Sequence, residues 1–575
     1  MNVIVIVNDT LRRDHVAAYG APAPWSRPGH EGEPFIHTPN LDRLAAESAV
    51  FDRFYCFSYP TIPCRYDQMT GRYGFPFKGW QPLEPDDVVL SEIVRKRGYT
   101  PMLIFDTPPL GNDDYNFTRG FAGWWWIRGQ HQDRFVTDPI EVTLPAAPHK
   151  LKSPEATRLY LRNTAERRYE RDWMCGRTTS AAMDWLERNY TRDGFVLWID
   201  MWDPHEPFDA PAYDVRRYAD PGYRGEWVIY PRYGRHEYLS PEEASHVRAL
   251  YASLVTLCDR WLGRFLEKVE TLGLDRNTLV VYTTDHGHLF GEHDLEGKPT
   301  GSLGKLYEVT TRIPLMIRHP KGVGAGRRVQ GIAQQPDLLP TILEFLDVPI
   351  PETVQGKSLW PLISGEADRI RDFALSGRFP IGAGVPLIRA QAQMARVFDG
   401  YAGSDLALDP ITITTEDWAL ICPPAGGPRE LYDLRGDPGQ LTNLAAVRPD
   451  VADDLQRKML GFLEEIGTPE RRIAPYRPGH EGRGRPLTPG PSPAKRERGA
   501  EGGVRAIEPD RPLYVVEDGR GHRLAFPTEA EARECLVPAL PVQEVRKVPF
   551  GSLLEEDAKA LVHVYEQYYW ASDLA

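Results

Sequence analysis

The stretch NVIVIV, residues 2–7, runs straight into Asn8 and Asp9. An almost unbroken β-branched run, without polar alternation, suits a strand buried on both faces, and such strands build parallel sheets. The run then ends abruptly in polar side chains. The form recurs. GFVLWIDMW (Gly194–Trp202) carries Asp200 and is followed by Asp203, and NTLVVYTTDHG (Asn277–Gly287) closes on Asp285 and His286. RIPLMIRHP (Arg312–Pro320) is a further strand. Helical patterns lie between these runs. TPNLDRLAAESAV opens with Thr38 as an N-cap and Pro39 at the first helical position. A long amphipathic helix starts at a Ser240 cap and stops at Gly273. Strands alternating with helices predict an α/β fold, with a mostly parallel central sheet flanked by helices. Ligands of such sheets bind beyond the carboxyl ends of the strands, so the three strand ends carrying Asp or His, with Asp9, with Asp200 and Asp203, and with Asp285 and His286, are candidates for one site.

The chain has 575 residues, enough for two or more domains. From about Phe373 the pattern shifts to short strands and turns, such as WALICPP and ELYDLRGDPGQLTNL, which predict a smaller C-terminal α+β subdomain. The expected division is residues 1–372 for the α/β catalytic domain and 373–476 for this subdomain. Residues 477–510 are Pro/Gly/Arg-rich and aperiodic, the composition of a disordered linker or insertion. Residues 511–575 read as a small extension, a hairpin plus a helix. The formal net charge of −13 argues against a nucleic-acid partner, which needs a basic face. No apolar run is long enough to span a bilayer, and no membrane partner is expected. The six cysteines show no C-x-x-C spacing. With no signal-peptide pattern at the first residues, a reduced, cytoplasmic protein is expected.

Asp9, Asp285 and His286 are oxygen and nitrogen donors suited to a divalent metal. Each alone could cap a helix or tie down a loop. Together at strand ends they mark a candidate site.

Three longer stretches carry a family resemblance. NVIVIVNDTLRRDHVAAYG with HTPNLDRLAAESAVFDRFYC resembles the opening of the sulfatase branch of the alkaline phosphatase superfamily. TTDHGHLFGEHDLEGK resembles its second signature, and ELYDLRGDPGQLTNLA its closing motif. In order and spacing these cover roughly residues 1–470. The resemblance implies the fold, and it implies hydrolysis of sulfate esters, phosphonate monoesters or phosphodiesters at a metal-bound nucleophile.

Sulfatases carry Cys-x-Pro-Ser-Arg followed by Thr-Gly-Arg, and the cysteine is oxidised to formylglycine. In SYPTIPCRYDQMTGRY the MTGR sets the register. Arg65 takes the arginine place, Pro63 the proline place and Thr61 the nucleophile place, while Cys64 falls where the motif has serine. Neither Cys56 nor Cys64 is followed two residues later by proline. Formylglycine is therefore not expected, and Thr61 is the expected nucleophile, as in the threonine-using nucleotide pyrophosphatase/phosphodiesterase relatives. A metal ion can lower the pKa of a bound oxygen from 15.7 to about 7 for zinc-bound water, so a threonine needs no histidine base. Thr61 could instead simply cap the helix that follows.

The resemblance also implies that Arg65 and Lys298 bind the ester anion and that His205 stands against the leaving oxygen. Lys305 competes with Lys298 for its place. Many sulfatases have GKWH where this chain reads TPMLIFDTPP, so Asp106 and Thr107 are left as substrate contacts. Asn8 or Thr10 could complete a metal shell whose second N-terminal carboxylate is missing. Asp203 leaves a two-metal site open, and His288 and His293 are expected to support the ligands. The aromatic stretch FAGWWWIRGQHQDRF (Phe121–Phe135) either lines the pocket mouth or packs beneath its rim. The expected cofactor is one divalent ion (Mn, Zn, Ca or Mg), with Asp9, Thr61, Asp285 and His286 around it. The expected partner is a small-molecule ester. Phosphodiesters and phosphonate monoesters lead. Sulfate ester hydrolysis without formylglycine, phospho- or sulfo-transfer, and an inactive binding protein are the alternatives, and a homo-oligomer is left open.

Overall fold

A computed structural model describes residues 1–20, 35–111, 115–299, 303–378, 409–424 and 426–480, and three strands within 512–549. Its centre is an eight-stranded sheet. In chain order the strands are β1 (Asn2–Asn8), β2 (Ala49–Phe51), β3 (Thr100–Phe105), β4 (Gly123–Trp126), β5 (Phe195–Met201), β6 (Thr278–Thr283), β7 (Leu315–Arg318) and β8 (Arg328–Val329). They lie side by side as β8-β2-β7-β6-β1-β5-β3-β4. The run β6-β1-β5-β3-β4 is parallel, and β7 is antiparallel to both its neighbours.

Every residue of β1 is buried, as its unalternating composition requires. Val5 sits between Trp198 of β5 and Val281 of β6 in register. Val3, Val5 and Val7 join one core with Ile62, Tyr66 and Met69 of the following helix and with Leu338–Leu339 and Ile342–Leu343 of another. Because β5, β1 and β6 are adjacent and parallel, their carboxyl ends emerge together. Asp200, Asp9 and Asp285 are thus delivered to one place from sequence positions far apart.

Five helices matter for the site and its walls: α1 (Pro39–Ala46), α2 (Thr61–Thr70), α3 (Met174–Asn189), α4 (Pro241–Thr271) and α5 (Leu338–Phe345). Helix α4 begins with the expected cap. Ser240 Oγ accepts from Glu243 N–H, and the Glu243 carboxylate accepts from Ser240 N–H. It ends beside Gly273, which has φ +69°. Helix α1 is capped differently from its sequence pattern. Thr38 Oγ1 accepts from Ala17 N–H at 3.0 Å instead of capping its own helix. The donors of α1 go to Asp259 on α4, with Leu41 N at 2.7 Å and Asn40 N at 3.2 Å. A carboxylate from another element has displaced the local hydroxyl.

The chain continues into an antiparallel four-stranded sheet of β9 (Ala374–Ser376), β10 (Ile411–Thr414), β11 (Trp418–Cys422) and β12 (Glu430–Asp433), followed by helix α6 (Pro449–Glu465). By compactness, residues 1–379, 409–423 and 427–473 form one unit. In the second unit the strands Pro512–Asp518, Arg523–Phe526 and Val542–Pro549 form an antiparallel sheet. The Pro/Gly/Arg-rich stretch from 481 onwards and the expected terminal helix lie outside the described residues. Among the described residues no helix is long and apolar enough to cross a membrane.

The aromatic stretch Phe121–Phe135 turns out to be the sheet edge. Its tryptophans form β4, with Trp126 stacked on Phe105 at 6.0 Å and covered by Arg128 at 4.1 Å. Only its tail approaches the catalytic end, where Gln130 Nε2 donates to Asp203 Oδ1 at 2.9 Å and the His131 ring stacks on Trp202.

Candidate active site

The turn after β1 is tight. Thr10 takes φ +62°, which turns its N–H onto Asp285 Oδ1 at 2.8 Å and its hydroxyl onto Asp9 Oδ1 at 2.7 Å. After β6, His286 N–H also donates to Asp285 Oδ1 at 2.8 Å. Gly287 must be glycine, because a Cβ there would stand 2.1 Å from the carbonyl oxygen of Val309. His286 Nδ1 lies 2.9 Å from the carbonyl oxygen of Gly287. With the Nδ1 proton on that carbonyl, Nε2 carries the lone pair. Nε2 faces Thr61 Oγ1 at 3.4 Å.

Thr61 is the first residue of α2, and all ten residues of that helix are buried. Its side chain does not cap the helix. The loop before it is held by Asp67, whose carboxylate accepts from Ser58 N–H at 2.7 Å, Ser58 Oγ–H at 2.9 Å and Gly74 N–H at 2.9 Å. The Cys64 thiol points into this backbone, donating to the carbonyl oxygen of Ser58 at 2.8 Å, and burial raises its pKa well above the usual thiol range.

Ligand atoms of Asp9, Asp285 and His286 lie within 4.8 Å of one another, and all three residues are buried. Burial, and next the neighbouring Asp285, push the Asp9 carboxyl well above the usual range, against Arg65 and Lys298. Burial also works against the Asp285 carboxylate, but His286 and Arg65 hold its pKa below the usual value. Burial lowers His286 to about 3, which keeps its imidazole neutral and ligand-ready. Asp285 Oδ2 is held by charge alone, against Arg65 Nη1 and 3.3 Å from His286 Nε2. Asp9, Asp200 and Asp285 together face the single guanidinium of Arg65. This surplus of buried carboxylate, three against one guanidinium, fits a divalent cation held by Asp9, Asp285 and His286.

Arg65 is where the structure departs most from expectation. Its Nε and Nη2 donate to Asp200 at 3.0 and 2.8 Å, Nη2 also to Asp9 at 3.1 Å, and Nη1 lies 2.5 Å from Asp285 Oδ2. The guanidinium is consumed by three carboxylates rather than offered to an ester oxygen. It is a positioning residue for the strand ends. Asp200, expected only as a strand-end residue with no assigned role, is its principal partner. Thr107 serves Asp200 too, donating to Oδ1 at 2.6 Å, so it is not presented to a substrate.

Several other expected contacts go elsewhere. Asp106 accepts from Trp202 N–H at 2.6 Å and from the Thr178 hydroxyl at 2.9 Å, a buried tie rather than a substrate contact. Asn8 Nδ2 donates to the Asp203 carbonyl at 2.8 Å, which ties the end of β1 to the loop after β5. The Asp203 carboxylate accepts from Gln130 and from Cys175 N–H, and groups with Cys175 and Cys258 rather than with Asp9, Asp285 and His286. His293 stacks on Tyr307 at 3.5 Å, away from the ligands it was expected to support. Lys305 pairs with Glu430 on β12.

Lys298 does reach the site. Its Nζ is buried, 3.3 Å from Thr10 Oγ1 and 3.4 Å from Glu206 Oε2. His205 packs against Trp202 with ring centroids 3.8 Å apart, and its Nδ1 lies 2.7 Å from the carbonyl oxygen of Glu206. Burial first, and then Lys298, push its pKa well below the usual histidine value. Glu206 was not expected from the sequence. Its fully buried carboxylate stands between Lys298, His205 (3.3 Å) and His288 (3.7 Å). Its only signal was its place directly after His205. Both ring nitrogens of His288 lack hydrogen-bond partners, and Nε2 lies 3.8 Å from Glu296 Oε1.

Comparison with known proteins identifies the family. The family model described as Sulfatase matches residues 1–348. Arylsulfatase K of Bos taurus is 23% identical over 468 residues, spanning 76% of this chain and 78% of the relative. The multifunctional alkaline phosphatase superfamily protein PehA of Trinickia caryophylli is 28% identical over 425 residues, 63% of this chain and 77% of the relative. The crystal structure of the phosphonate monoester hydrolase of Agrobacterium radiobacter superposes with a TM-score of 0.63 at 22% identity, covering 81% of this chain and 96% of that one. The match over residues 1–348 is more than half of the 575, and the chain belongs to the sulfatase family of ester-bond hydrolases.

Proposed function

We propose that this protein hydrolyses singly charged phosphorus esters, phosphodiesters or phosphonate monoesters, using Thr61 as nucleophile and one divalent metal ion held by Asp9, Asp285 and His286. One observation carries the reading: Thr61 Oγ1 faces the free nitrogen of His286 at the metal-donor cluster, while Cys64 is turned away onto backbone. Bound there, the metal would supply Lewis acidity and lower the pKa of the attacking hydroxyl.

The chain's own groups then have clear tasks. The amino end of α2 favours an anion beside Thr61. Lys298 neutralises a non-bridging oxygen. Thr61 Oγ forms a bond to phosphorus as the ester oxygen leaves with the proton of the Thr61 hydroxyl, and water later attacks phosphorus to release Thr61. His205 is neutral before substrate binds, and with the Nδ1 proton on the Glu206 carbonyl its Nε2 can take the proton of that water. That proton is returned to Thr61 Oγ as it leaves phosphorus. A formylglycine hydrate can expel its covalent group by collapsing to an aldehyde. Threonine has no such exit, so the second attack must occur at phosphorus or sulfur itself. This favours phosphorus esters over sulfate esters. The likeness to the phosphonate monoester hydrolase is one of fold, and the substrate preference rests on Thr61. The sparse cysteines, the five described ones free thiols, fit a reducing, cytoplasmic setting.

Metal-replete protein assayed on matched aryl phosphodiesters, aryl phosphonates and aryl sulfates tests the reading. Phosphorus esters should give the higher kcat/KM. Faster cleavage of the sulfate overturns the substrate assignment.

A further inference from the structure

Arg378 follows β9 by two residues and is only 6% exposed. Its Nε has no hydrogen-bond partner, and the guanidinium makes no ion pair among the described residues. An unpaired buried cation is costly and asks for a counter-charge.

The backbone shows where it is placed. Strand β9 is sewn to the loop that leads into the nucleophile. Ser376 Oγ donates to the Cys56 carbonyl at 2.5 Å, Gly377 N to the Phe57 carbonyl at 2.9 Å, and Tyr59 N to the Gly377 carbonyl at 3.0 Å. Gly377 permits this approach, since a Cβ there would stand 2.7 Å from the Phe75 ring. The next residue, Arg378, lies over the Tyr59 ring at 4.4 Å. That ring is 4.7 Å from the His286 ring, and His286 faces Thr61. Arg378 and Lys298 both bear electrostatically on the Tyr59 hydroxyl. Two ring contacts thus link the guanidinium to His286, which faces the proposed nucleophile. Lys298 already has Glu206 as an ion-pair partner, whereas Arg378 has no carboxylate partner among the described residues.

We propose that Arg378 binds a second oxyanion of the substrate, a carboxylate-type group on the arm that stays with the reacting centre. This deepens the reading of Thr61 as a phosphorus-ester nucleophile and rests on it. Arg378 would act in recognition, forming charge-assisted hydrogen bonds to the distal group while Thr61 attacks.

Kinetics of the metal-replete, full-length protein on two chromogenic esters test this. One is 4-nitrophenyl methylphosphonate and the other the 4-nitrophenyl monoester of (2-carboxyethyl)phosphonate. Wild type should favour the carboxylate-bearing ester by about 10- to 100-fold in kcat/KM, expressed mainly in KM, the range expected of a charged hydrogen bond. Arg378→Ala and Arg378→Met should lose that preference, and Arg378→Lys should keep part of it. The methionine variant preserves bulk on Tyr59, so a folding defect of the alanine variant leaves the test intact. No preference in wild type, or an equal loss on both esters in the variants, overturns the proposal. If neither ester is cleaved, the functional reading fails separately, and calorimetric titration with 3-phosphonopropionate and ethylphosphonate decides the role of Arg378. Tighter binding of the former, lost in Arg378→Met, supports it, and equal binding overturns it.

Discussion

Thr61 owes its proposed reactivity to its address, since a free hydroxyl is a weak nucleophile. It opens a helix, faces the free nitrogen of His286, and stands where three buried carboxylates gather. Thr61→Ala should lower kcat by several orders of magnitude, of the order of the ~10⁶-fold lost in comparable nucleophile knockouts. Thr61→Ser should retain measurable turnover. Steady-state assays on an aryl phosphonate check both, and an alanine variant with most of its activity intact removes Thr61 from the mechanism. At this scale the sequence was legible where residue type and strand end coincide, as at Asp9, Asp285 and His286. It was not legible for Arg65, whose motif position says only that a guanidinium is nearby. Which anions it meets depends on Asp200, 135 positions away along the chain.

Helix α1 shows the same limit at the scale of an element. Its start was readable from Pro39, but its cap was not. Thr38 turned to Ala17, and Asp259 of α4 took the donors of Asn40 and Leu41. Burial raises the Asp259 carboxyl from its usual value to about 6. The native state thus holds this proton more tightly than the unfolded chain does. Its contribution to stability is greatest below about pH 4 and is lost as pH rises through about 6. Asp259→Asn has no such titration. Relative to the variant, wild type should lose about 1–2 kcal/mol of stability between pH 4 and pH 7. Paired denaturant melts at the two pH values measure it, and parallel pH dependences of the two proteins exclude Asp259 as the titrating cap. Asp259→Ala, with no acceptor at all, should cost about 1 kcal/mol or more at any pH.

For the whole molecule, the proposed metal ion ties the ends of β1 and β6 together. A ligand bound only by the native state stabilises it by about 2.7 kcal/mol at a hundredfold excess over Kd. Chelation should therefore lower Tm, and Asp285→Asn should contain less metal and lose that response. Scanning calorimetry with elemental analysis reads both, and full metal occupancy in Asp285→Asn sinks the ligand assignment. The parallel α/β architecture, the strand ends and the family were readable from sequence because they depend on local hydrophobic pattern and on the spacing of short motifs. Tertiary structure alone decided the partners: Asp200 with Arg65, Glu206 with Lys298 and His205, Asp203 with Gln130 and Cys175, Arg378 over Tyr59. A side chain's residue type is written in the chain, but its charge balance is set by whichever distant groups the folded backbone brings within a few ångströms, and a linear pattern does not encode those distances.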